Sequence, residues 1–256
     1  MQFYPWQMSS PVEAVVFDCD STLSNVEGIT VLSELNDVYP EVHALTEKAM
    51  AETGITLDLY AQRLDLVRPT ASQLKEVERA YWAHVTPDIV EVIKCFQALG
   101  KDIHVASAGI QQPVEEFAAK LGIAEDHVHA VPVYFDAEGN YQGFDQESKF
   151  ARHNGKSFLA QQLHKKYKTI AHVGDGMNDV EAASSVDRFI GYGGSCFRES
   201  IMEHSEFYIK CAPMAPLMPL LLTQEEAQNL SAEDKMLYER GCKMIDAGNV
   251  VCKMHV

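Results

Sequence analysis

Val15-Val16-Phe17 is a short apolar run that ends in two carboxylates, Asp18 and Asp20, one residue apart. Such a run reads as a buried strand, along which every second side chain points the same way. If the extended geometry persists past Phe17, both acids are presented on one side of the strand's end. Two acids so close repel unless a cation, a shared proton or a hydrogen-bonded loop compensates them. Taken alone, the pair is equally well explained by a strand followed by an Asx-type turn. The rest of the chain has to decide.

Two further apolar runs end in the same way. Ile103-His104-Val105-Ala106 leads into Ser107-Ala108-Gly109, and the run 169–173 leads into the tight turn Gly174-Asp175-Gly176, with Asp179 just beyond. Helices are expected between these runs. Thr86-Pro87-Asp88 is a start signal with proline in the first turn, for a helix that ends before Gly100. Others are expected over 113–121, 156–167 and 179–184, a β-hairpin over 128–135 and 141–144, and a short strand over 189–192. Strands alternating with helices predict an α/β fold: a Rossmann-like, mostly parallel sheet with helices on both faces. Such sheets bind ligands at the carboxyl ends of their strands. The polar groups gathered at three strand ends are therefore the candidate site.

Between the first two strands the pattern is helical. Glu34, Leu35, Val38, Val42, Leu45, Ala49 and Met50 approximate one helical face, 57–66 offers a second, Pro69 breaks the pattern and Ser72 begins another helix. The expected organisation is a core of residues 1–25 and 86–212, an inserted helical cap over 26–85, and a C-terminal extension over 213–256. Capping-box patterns at Thr223 and Ser231 predict that the extension is helical, the second helix burying Met236, Leu237, Met244 and Ile245. Its expected work is packing or self-association rather than catalysis, and a homodimer stays open.

A net charge of -16 argues against nucleic acid and anionic membranes as partners, but not against a small phosphorylated substrate met by a local cation. No apolar run approaches the roughly 20 residues needed to cross a bilayer, and no secretory pattern is visible at the N-terminus. The six cysteines are scattered without CxxC or zinc-like spacing, which points to reduced thiols and a cytoplasmic setting. Cys19, between the two acids, is expected to be a packed bystander, because no nearby base activates it.

DCDST at 18–22, Ser107 after an apolar strand, Lys156 at a helix start and GDGMND at 174–179 occur in that order. Together they resemble the four motifs of haloacid-dehalogenase-type phosphatases. The resemblance implies that Asp18 attacks phosphorus to form an aspartyl-phosphate, and that Asp20 gives and takes the proton. It implies Mg²⁺ held by Asp18, Asp175 and the backbone carbonyl of Asp20, with Asp179 behind the metal. Ser107, Ala108, Gly109 and Lys156 would hold the phosphate, and Gly109 and Gly176 would allow close backbone approach.

Within that superfamily, residues from about 11 to 212 resemble the phosphoserine phosphatase family. DCDSTLSNVEGI places Glu27 where that family binds the substrate ammonium, and AQRLDLVRP places Arg63 where it clamps the substrate carboxylate; FIGYGGSCFRES, including Arg198, matches the segment after motif four. If 57–66 is helical, the residues one turn from Arg63 are Leu59, Tyr60, Leu66 and Val67, none acidic. The implied reaction is Mg²⁺-dependent hydrolysis of O-phosphoserine, the last step of serine biosynthesis. The alternatives are a related phosphatase for phosphoethanolamine, phosphocholine or a phosphothreonine-like substrate, or a phosphotransferase. The chain departs from the family pattern at Ala108, where a second glycine is usual, at Asn154 and Ser157 around the lysine, and at Thr56, where a large apolar residue is usual.

Overall fold

The computed structural model describes residues 4–52 and 56–253, with side chains outside 47–52. The side chains of Ala49 and Met50, two members of the expected helical face, thus lie outside the described residues.

β1 (Ala14–Phe17) is buried along its whole length, as an uninterrupted apolar run must be when both faces of a parallel sheet are covered. Four helices follow it, α1 (Gly28–Leu35), α2 (Tyr39–Glu52), α3 (Leu57–Val67) and α4 (Ala71–Ala83). The chain then resumes an alternating course through α5 (Ile89–Ala98), β2 (Asp102–Ile110), α6 (Gln111–Lys120) and β3 (Val128–Val131). After a side hairpin, β4 (Val133–Phe135) with β5 (Tyr141–Phe144), come α7 (Gly155–Leu163), β6 (Ile170–Gly174), α8 (Met177–Ala182), β7 (Arg188–Tyr192), α9 (Glu199–His204) and β8 (Phe207–Ile209). The tail carries α10 (Leu217–Leu221), α11 (Gln224–Gln228), α12 (Ala232–Asp246) and β9 (Val250–Cys252).

The main sheet has seven strands in the order β3-β2-β1-β6-β7-β8-β9. Every neighbouring pair is parallel except β8 with β9. β1 sits between β2 and β6, so successive connections leave it in opposite directions. A crevice opens at such a switch point, outside the carboxyl ends of the strands. That is where Asp18 and Asp20 follow β1.

Several local expectations are corrected. α5 starts at Ile89 because Asp88 adopts a left-handed conformation (φ 72°), leaving Pro87 outside the helix. The expected hairpin is split at Pro132, which has no N–H to give a sheet. β3 before it joins β2 in the main sheet, and only β4 after it pairs with β5. The tail is not wholly helical: β9 closes the sheet edge, with Val250 opposite Ile209. On α12 the buried side is Leu237, Tyr238, Gly241, Cys242 and Ile245, whereas Met236 is 73% exposed. Lys101, buried at the start of β2, donates to the Val12 carbonyl at 3.0 Å and pairs with Glu226, anchoring the tail to the sheet.

One cluster on the sheet has a consequence for stability. The ring of His104 stacks on His127 at 4.0 Å and on His129 at 5.7 Å between centroids. Burial, then the neighbouring His127, pushes His104 down to about 3 and His129 down to about 4. Asp102 works weakly the other way at His104, as Asp126 does at His129. Unfolding frees both to bind protons near the ordinary value of 6.5, so their neutral burial contributes fully above that pH and is lost as pH falls toward 4. Urea unfolding free energy should therefore fall by about 2 kcal/mol per pH unit between pH 6 and pH 4, up to about 1.4 from each of the two groups. His104→Asn should flatten that slope, and an unchanged slope would contradict the assignment.

Candidate active site

Asp18 and Asp20 meet different surroundings, although one residue separates them. The backbone N–H of Asp18 still donates to the Val173 carbonyl at 2.9 Å, so the residue is held by the sheet. Its carboxylate accepts the Cys19 N–H on Oδ1 at 2.7 Å and meets Lys156 Nζ on Oδ2 at 2.7 Å. Burial pushes the Asp18 carboxyl well up; Lys156 opposes this, and Asp179 and Asp175 add to it. Cys19 is fully buried, and burial, then Asp20 and Asp18, pushes its thiol up, away from nucleophilic character. Among the described residues Asp20 has only neutral donors. Gly28 N–H and Tyr81 OH donate to its Oδ1 at 2.6 and 2.7 Å, and Ser107 Oγ donates to its Oδ2 at 3.1 Å.

The cation beside Asp18 comes from the first turn of α7. Lys156 is 5% exposed and lies between Asp18 and Asp179, the latter at 2.6 Å. Burial would lower its pKa, but the two carboxylates outweigh that and hold the ammonium charged. Asp179 also meets His172 Nε2 on Oδ1 at 2.6 Å and accepts the Gly176 N–H on Oδ2 at 3.0 Å. Burial raises its pKa, yet Lys156 and His172 prevail and keep it well below the carboxylate range. The glycine that this packing requires is Gly174, where any Cβ would overlap the Asp179 carboxylate. Gly176, by contrast, has ordinary van der Waals room, with the nearest atom 3.5 Å from a built Cβ. The expected steric need at Gly176 is thus corrected to Gly174, while at Gly109 a Cβ would press on Asp20 and Ser107 at 2.8 and 3.0 Å.

Asp175 follows β6. It accepts Thr22 Oγ1 on Oδ1 at 3.1 Å and pairs through Oδ2 with Arg198, which also donates to its backbone carbonyl at 3.1 Å. Burial raises Asp175 to about 6 despite that arginine. Asp18, Asp175 and Asp179 each offer one oxygen, all within 4.8 Å of one another. An all-oxygen, anionic cluster of that size suits a small hard cation.

The helical insert supplies the opposite wall. Glu27, immediately before α1, accepts Ser21 Oγ at 2.7 Å and is pushed up to about 7 by burial, then by Asp20 and Asp175. Arg63, on α3, is 7% exposed. Its guanidinium lies 5.7 Å from the Tyr60 ring centroid, Nη1 reaches Thr46 Oγ1 at 3.5 Å, and Nε is buried without a hydrogen-bond partner. Among the described residues it forms no ion pair. Thr56 caps α3 by accepting the Leu59 N–H at 3.3 Å, a role a large apolar residue could not fill.

One cavity joins these walls, lined by Asp18, Asp20, Glu27, Arg63, Ala108, Gly109, Lys156, Asp175 and Asp179. Ser107 stands behind it, fully buried, donating to Asp20 and accepting the Gly109 N–H at 2.8 Å. Four groups escaped the sequence reading: His172, Tyr81, Thr22 and the pairing of Arg198 with Asp175. His172 had a local signal, as a lone polar residue in the strand run of β6. Tyr81 had none, because its bond to Asp20 spans 61 residues.

The family model for haloacid dehalogenase-like hydrolases matches residues 12–187. Mouse (Mus musculus) phosphoserine phosphatase is 34% identical over 201 residues, covering 77% of this chain and 88% of that protein. A phospho-aspartyl intermediate analogue of phosphoserine phosphatase superposes with a TM-score of 0.70 at 23% identity, covering 82% of this chain and 98% of the other. A substrate-bound phosphoserine phosphatase complex gives 0.72 at 20% identity, with the same coverage. At those identities the two solved structures establish the shared fold.

Proposed function

Since this chain belongs to the haloacid dehalogenase-like hydrolase family, we propose that it is a Mg²⁺-dependent phosphomonoesterase that hydrolyses O-phosphoserine to serine and phosphate through a phosphoryl group carried on Asp18. The observation that carries the substrate is Arg63. Among the described residues its guanidinium is buried without a carboxylate partner, which is costly, and a ligand carboxylate arriving beside it removes that cost. Glu27 lines the same cavity and offers an acid to an α-ammonium. Phosphoethanolamine and phosphocholine lack the carboxylate and would leave Arg63 unpaired, and the named relatives act on phosphoserine by their own description.

The carboxylate cluster fits Mg²⁺. Asp18 and Asp175 would hold it with the Asp20 backbone carbonyl, while Asp179, its oxygens already occupied by Lys156, His172 and Gly176, would stand behind. When bound, the ion neutralises charge on the transferring phosphoryl group.

The side chains divide the remaining work. Asp18 attacks phosphorus, the ester P–O bond breaks, and its electron pair leaves on the serine oxygen. Asp20 gives that oxygen a proton and then takes one from the water that attacks the aspartyl-phosphate, which returns Asp18 to its starting state. Lys156, held charged by two carboxylates, meets phosphate oxygens with the 107–109 stretch of β2. The helical insert acts as a cap that reads the amino-acid end of the substrate. The six cysteines are all unpaired, which supports a reducing compartment such as the cytoplasm. No helix among the described residues is long and apolar enough to cross a membrane.

The test is turnover of a panel of O-phosphoserine, phosphothreonine, phosphoethanolamine and phosphocholine, with Mg²⁺ and with EDTA. The expected result is a preference for O-phosphoserine of about 100-fold or more in kcat/KM over the amines lacking a carboxylate, with activity lost in EDTA and restored by Mg²⁺. Preference for phosphoethanolamine, or full activity in EDTA, would overturn the reading.

A further inference from the structure

Asp20 is held from two sides of the cavity. From the core, Ser107 Oγ reaches Oδ2 at 3.1 Å. From the helical insert, Gly28 N–H and Tyr81 OH both reach Oδ1, at 2.6 and 2.7 Å. A carboxylate oxygen has two in-plane lone pairs, and on Oδ1 both are taken by donors. A proton carried by Asp20 therefore has its place on Oδ2, whose single contact leaves room for it. The Tyr81 hydroxyl is held firmly in that position. Its side chain is fully buried, and its ring packs against Phe117 of α6 with centroids 5.5 Å apart. Gly28 is shaped to it, because a Cβ there would overlap the tyrosine hydroxyl.

We propose that Tyr81 is a positioning residue for Asp20, a hydroxyl supplied by the helical insert that fixes the transferable proton on Oδ2. This rests on the reading of Asp20 as the proton donor to the leaving oxygen. It makes the insert part of the acid machinery as well as of substrate recognition.

The test uses two leaving groups on the full-length protein with Mg²⁺. Serine's oxygen must receive a proton as it leaves, whereas p-nitrophenolate is a stable anion that departs without one. kcat/KM reports the steps through transfer to Asp18 and omits the hydrolysis that both substrates share. Tyr81→Phe should lower kcat/KM for O-phosphoserine about 10- to 100-fold and that for p-nitrophenyl phosphate no more than about 3-fold, the range for losing a hydrogen bond to a charged group. Gly28→Ala, which displaces the hydroxyl while keeping the tyrosine, should give the same selective loss and serves if Tyr81→Phe fails to fold. The double variant should be little worse than either single one, since both break one contact. Equal losses on both substrates, or none, would overturn the proposal and make Tyr81 a packing residue. Asp20→Asn separates the underlying reading. If it shows no leaving-group selectivity, the acid assignment of Asp20 fails, whatever Tyr81 does.

Discussion

Asp18→Asn should lower kcat on O-phosphoserine by about 10,000-fold or more while leaving the fold intact. The amide is nearly isosteric, so the Cys19 N–H keeps an acceptor, but it cannot attack phosphorus and return as a carboxylate. The stability side follows from the charges. Burial and two neighbouring acids push the Asp18 carboxyl up, so the native site bears a cost for keeping it ionised in the absence of the cation. Lys156 keeps Asp179 as a partner in the variant. Without added Mg²⁺ the Tm should therefore move by no more than about 4 °C in either direction. Thermal melts and steady-state assays on one preparation check both halves. Substantial residual turnover, after exclusion of contaminating wild-type protein, would refute the nucleophile.

The second large effect is expected at Arg63. Arg63→Ala should raise KM for O-phosphoserine about 100-fold, corresponding to about 3 kcal/mol for removing one partner of a desolvated charge pair. p-Nitrophenyl phosphate has no carboxylate for Arg63 to meet, so its KM should change by no more than about 3-fold. Equal effects on the two would sink the carboxylate clamp and leave Arg63 as a structural member of the insert. The variant also relieves an Nε buried without a partner among the described residues, so a melting temperature at or above the wild type would accord with the account.

What could be read in the chain depended on how far apart the interacting residues lie. Asp18 with Asp20, and Asp175 with Asp179, are short patterns at strand ends, and alternation of apolar runs with helical spacing placed those ends together. Lys156 was legible only through the resemblance, as the third of four motifs in order, since a lone lysine at a helix start is ordinarily a solvated surface residue. Long-range choices were not. Nothing near Tyr81 says that its hydroxyl meets Asp20, or near Arg198 that it pairs with Asp175. Pro132 could have been recognised as the point where an apparent hairpin divides, since it cannot donate within a ladder. Met236 shows the limit of apolarity as a guide, because on α12 Tyr238 and Cys242 take the buried side instead. β9 is three residues long and gains its stability from pairing with β8, so its two valines make too short a run to be read as a strand from sequence.

The central claim is that Asp18 carries the phosphoryl group between substrate and water. The direct measurement is acid quenching of the Mg²⁺-loaded enzyme during turnover of phosphoryl-labelled O-phosphoserine, followed by peptide mapping of the protein-bound label. The account predicts label on the peptide containing Asp18, confined to Asp18 by fragmentation and chased off by excess unlabelled substrate. Steady turnover with no labelled enzyme on a rapid-quench timescale, or label on any other residue, would contradict it.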